Sequence, residues 1–143
     1  MTQINNSPKW FRNIAIIALI WNILGLMAFI AHMMTTPEMI AALPANEQLL
    51  YQNVPMWATA VFALAVFAGT LGCVFLLLKK SLAKMLFIAS TFGILLQNFH
   101  SFFIIDSMGV YGATSVIMPL FVFIISIGLI LLTNKAQENS WIS

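Results

Sequence analysis

The sequence predicts an all-α membrane protein, a four-transmembrane-helix bundle with both termini cytoplasmic and a short helical cap outside, between the first and second helices. Three observations predict it. Hydrophobic residues fill 62% of the 143 positions and charged residues only 7%, which leaves too little polar surface to keep a soluble domain in water. Four apolar stretches each reach the length of about 20 helical residues that a hydrocarbon core of about 30 Å requires. All six basic residues flank those stretches on one side: Lys9 and Arg12 before the first, Lys79, Lys80 and Lys84 between the second and third, and Lys135 after the fourth. Retained cations mark the cytoplasmic face.

The first span, about 10–33, has a basic start but no small-x-small cleavage site after it, and is expected to be a retained helix rather than a signal peptide. The outer connection, 35–55, is too apolar for a floppy linker. Thr36, Pro37 and Glu38 place a hydroxyl N-cap, a first-turn proline and a first-turn acid in order, so a short helix should start there and end near Pro44. Glu47, Leu49, Leu50 and Tyr51 suggest a second amphipathic turn, making the connection an interfacial cap or, in the alternative, a lid or partner surface. The second span, about 56–78, carries Ala58, Ala65, Gly69, Gly72 and Cys73 near one stripe, so it is expected to form the centre of the bundle, with Cys73 a small packing residue.

Small and polar residues also stripe the first span (Ala18, Asn22, Gly25, His32) and the third, about 84–105 (Ser90, Gly93, Gln97, His100, Ser101). The fourth, about 115–133, is the most uniformly apolar and is expected to be the most lipid-exposed, with Ser126 and Gly128 marking its inner face. Trp10 and Trp141 flank the inner boundary, while Tyr51, Trp57 and Tyr111 lie near the outer one, where amphipathic rings prefer to sit.

Function is sought where polar groups enter the membrane, because unpaired polar groups in lipid cost several kcal/mol. From the helical rise, Asn22 lies roughly 15 Å beyond Arg12, near the midplane, whereas Gln97 and His100 lie about 20 and 24 Å from Lys84, in the outer half. These residues outline an outward-facing cavity with Asn22 at its floor, Gln97 and Asn98 on its wall, and His32, His100 and Asp106 at its rim; Trp21 supplies a stacking surface. The competing reading is structural: Asn and Gln commonly bond between membrane helices for about 1 kcal/mol, and an interfacial His is satisfied by headgroups or water. A shift of 68 residues superimposes Asn22 on Ser90, Gly25 on Gly93 and His32 on His100, a pattern that a parallel duplication would leave, with the two His facing across the outer mouth.

No acid or His lies at the membrane centre, which argues against a pump with a buried carboxylate. Paired carboxylates, a Cys–His dyad and a glycine-rich phosphate loop are all missing from the sequence, so neither enzyme chemistry nor a cofactor is expected. The cations form no basic stripe, so nucleic acid is not an expected partner. His32 with Met33, Met34, Met39, Met56 and Met108 raises Cu(I) as a thought, but methionine serves equally as apolar filler and no metal site is predicted.

The stretches LPANEQLLYQNVPMWATAVFALAVFAGTLGCVFLLLKK and LLQNFHSFFI resemble a group of small four-span bacterial inner-membrane proteins often labelled "sugar transporter". The resemblance covers the whole chain, implies the inner membrane and solute transport, and assigns no binding residue. Two functional classes follow. One is a small-solute, sugar-like transporter or its component, acting as a homo-oligomer because four helices are few for alternating access. The other is an accessory subunit that docks a larger membrane complex or binds lipid; it would have no central cavity, would bond Asn22 and Gln97 directly across helices, and would leave an exposed apolar flank.

Overall fold

A computed structural model describes residues 6–48, 51, 54–104, 109, 112 and 116–143, with only the backbone of Asn46. The described residues contain helices and no strand: α1 (Lys9–Met33), α2 (Pro37–Ala41), α3 (Ala45–Gln48), α4 (Met56–Leu77), α5 (Leu82–Phe99), which continues as a π-helical segment (His100–Ile104), and α6 (Ile117–Glu138). Four of these, α1, α4, α5 with its extension and α6, are long and apolar enough to span a bilayer. The chain is an integral membrane protein.

The helix starts follow the local chemistry. The Thr36 hydroxyl accepts from the Met39 N–H at 3.2 Å, and Pro37 occupies the first helical turn of α2. The second outer turn is described over α3, and Leu49 and Leu50 lie outside the described residues. Helix α6 runs five residues beyond the predicted end. The continuation through Asn134, Lys135, Ala136, Gln137 and Glu138 keeps helix-forming side chains on the chain after it leaves the apolar zone, and Lys135 sits favourably in the last turn.

Packing proceeds as a row: α1 on α4, α4 on α5, α5 on α6. The central pair is α4 and α5, and its closeness depends on missing side chains. A Cβ on Gly93 would stand 2.9 Å from the Val61 carbonyl oxygen and 3.1 Å from the Ala65 nitrogen, and one on Gly72 would meet the Phe87 ring at 2.7 Å. The expected stripe Ala58, Ala65, Gly69, Gly72 and Cys73 is buried throughout. Ser90 Oγ donates to the Ala65 carbonyl at 2.7 Å, and the Thr91 and Ser126 hydroxyls bond each other between α5 and α6.

Two packing expectations are corrected. The spanning helix with the fewest buried residues is α1, which buries only Phe11, Ala15 and Ala18, whereas α6 buries Ser126, Leu129, Thr133 and Ala136. The hydroxyls of Ser126 and Thr133 and the small Ala136 let α6 approach α5, a signal outweighed in the sequence by its bulky Phe and Ile residues. Gly128 is exposed and points away from any neighbour, so it does not mark the inner face.

The start of α1, the tail after α6 and the α4–α5 turn gather at one end of the bundle. Trp141 packs on Trp10 and Phe11 at 5.5 and 5.3 Å, and the Lys135 ammonium lies 5.3 Å over the Trp10 ring. Ile142 is buried, and the backbone of Ser143 pairs with the turn: Ser143 N–H donates to the Lys79 carbonyl at 3.0 Å and Ser81 N–H to the Ser143 carbonyl at 2.8 Å.

Candidate functional site

A half-open cavity of about 450 Å³ lies between the spanning helices and is lined by all four of them. It runs from Phe87 and Leu129, near the terminal end, to Ala28 and Met118, towards the other. Its walls are chiefly apolar, with Leu24, Phe62, Val66, Ile94, Val122 and Ile125 among them. Four polar side chains, Asn22, Ser90, Gln97 and Ser126, and the Trp21 indole complete the lining.

Most of that polar capacity is already engaged. The Asn22 Nδ2 donates to the Ala18 carbonyl at 2.8 Å and to the Cys73 sulfur at 3.4 Å, which uses both of its protons. Its Oδ1 rests over Gly69, where a Cβ would collide with it, so the glycine makes the room that the amide needs. Ser90 and Ser126 are committed to Ala65 and Thr91. The Asn22 oxygen and the Gln97 amide remain the hydrogen-bonding groups not engaged among the described residues. An apolar chamber with one acceptor and one amide suits a ligand with an apolar body and one or two polar atoms.

Of the residues singled out in the sequence, Trp21, Asn22 and Gln97 come together here. Trp21 also meets Phe121 edge-to-face at 5.5 Å, a contact that bridges α1 and α6 where those helices otherwise make no principal interface. Asn98 is half-buried but does not line the cavity. Neither His does. His32 stacks on Tyr51 at 5.9 Å and leans on Phe62 at 5.8 Å, so it ties α1 to the outer connection and to α4. His100 is buried at the start of the π-helical segment, edge-on to Trp57 at 5.2 Å. Each His thus has its own aromatic partners, contrary to a rim shared between them. Asp106, Met108 and Tyr111 lie outside the described residues.

Ser126 entered the site from α6 with Met118, Val122 and Ile125. Its small hydroxyl in an otherwise bulky span was the available signal; the apolar wall residues gave none. Met33, Met34, Met39 and Met56 are exposed, and no three His, Cys, Asp or Glu side chains gather among the described residues. Comparison with protein-family models, with curated proteins and with solved structures gives no match. The class that fold and site define is a four-span integral membrane protein with a half-open, mainly apolar chamber between its helices.

Proposed function

We propose that this protein binds and carries a small amphipathic solute, whose apolar body fills the chamber while one hydrogen-bonding group meets Asn22 and Gln97. The observation that carries this reading is the chamber itself, lined by all four spans and holding two amide groups not bonded to each other. An accessory subunit would be expected to close that space. A free sugar fits poorly, since a hydroxyl on nearly every carbon would enter walls of Leu, Ile, Val and Phe without partners. The solute class is therefore less polar than a sugar. The narrow bridge between Trp21 and Phe121 is the natural side entrance from the bilayer, between α1 and α6.

In this reading the protein sits in a bacterial inner membrane with its termini and its six cations on the cytoplasmic side, and a second copy supports the moving parts of transport. The test is a fluorescence titration of the protein in nanodiscs with octanamide, read at Trp21 in a variant with Trp10, Trp57 and Trp141 replaced by Phe. Saturable quenching is expected, weakened about tenfold by Asn22→Leu with Gln97→Leu, as two lost hydrogen bonds of about 1 kcal/mol each would do or exceed. Unchanged affinity in the double variant would reject the site.

A further inference from the structure

A second hollow, of about 570 Å³, lies at the terminal end of the bundle between α1 and the close of α4, away from the chamber. Three cations line it, Lys9 and Arg12 from the first turns of α1 and Lys79 from the α4–α5 turn, above the apolar side chains of Ile16, Leu76 and Leu77. Among the described residues no carboxylate side chain lines it. The first acid in the sequence, Glu38, is beyond the far end of α1, and the first turn of α1 contains no acid and no side-chain cap. The positive end of that helix therefore adds to the three charges.

Lys79 stands at the left-handed position that closes α4, with φ 62°, and from there it lines the hollow opposite Lys9 and Arg12. Positive charge at the depth of a lipid headgroup, with an apolar strip leading away along the helix contact, is complementary to one ligand class. We propose that this hollow holds the phosphate of an anionic glycerophospholipid, with an acyl chain lying along Ile16 and Leu77. The charge complementarity selects the phosphate, and the apolar strip selects a lipid over a free anion.

The test uses the full chain in nanodiscs of phosphatidylcholine with a minor fraction of phosphatidylglycerol, and native mass spectrometry to count the lipid that stays bound. Wild type should retain phosphatidylglycerol preferentially. Arg12→Gln with Lys79→Gly should lower that preference about tenfold or more, whereas Lys80→Gln with Lys84→Gln, which removes equal charge from the same end outside the hollow, should leave it within about twofold. The charge-keeping pair Arg12→Lys with Lys79→Arg should retain the preference, which separates loss of charge from loss of fold. Equal losses in the two neutralised variants would assign the effect to diffuse surface charge and overturn the proposal. Absence of preference in wild type, or displacement of the lipid by free glycerol phosphate at matched concentration, would overturn it as well.

Discussion

Asn22 and Gly69 illustrate how single positions set the site. The amide turns its two protons to Ala18 and Cys73 and lays its oxygen on a glycine, so side chain and space are matched across α1 and α4. Gly93 does the same for backbone contact between α4 and α5. Gly93→Ala should push against the Val61 carbonyl and lower stability by about 1–3 kcal/mol, read from denaturant-dependent loss of helical circular dichroism in detergent. Gly128→Ala has nothing within 4 Å to meet and should be neutral or stabilise by up to about 1 kcal/mol through helix propensity. Equal effects at the two positions would contradict the packing described. Asn22 and Gln97 were legible in the sequence because an amide in an apolar span is conspicuous. The two His were equally conspicuous but do not line the cavity, and nothing in their spacing reports the rings of Tyr51, Phe62 and Trp57 that hold them.

The ends of helices carry a recurring device. At the close of α4 the Lys80 N–H bonds the Phe75 carbonyl at 2.8 Å and the Lys79 N–H bonds the Leu76 carbonyl at 3.1 Å. At the close of α6 the Trp141 N–H bonds the Ala136 carbonyl at 2.8 Å and the Ser140 N–H the Gln137 carbonyl at 3.1 Å. Both are Schellman endings, and both place a residue other than glycine at the left-handed position, Lys79 at φ 62° and Ser140 at φ 57°. Ser140→Gly should therefore raise stability by about 0.5–1 kcal/mol in thermal or denaturant unfolding; a loss of that size would mean that the serine side chain is needed there. These endings were hidden in the sequence, where glycine is the usual marker. The starts were better advertised: Thr36, Pro37 and Glu38 announced α2, and hydropathy placed the spans within a few residues except at the end of α6. That helix continues past its apolar part because helix formation needs suitable side chains, not lipid.

At the scale of the whole molecule, four helices in a row are drawn together at the terminal end by Trp10, Phe11, Trp141 and the paired tail, and leave a half-open chamber between them. The four-span architecture was readable from composition and charge placement, because lipid imposes length and hydropathy directly. The chamber was only half readable, because its polar points are visible in a sequence while its apolar walls look like any membrane helix. Its chemistry is the centre of the functional account, and a series of solutes differing in one polar feature tests it most directly. Equilibrium binding to the protein in nanodiscs should rank octanamide above octane, with glucose unbound, because the chamber rewards an apolar body with one amide-sized polar group. Saturable glucose binding at equal or greater affinity than octanamide would contradict the account.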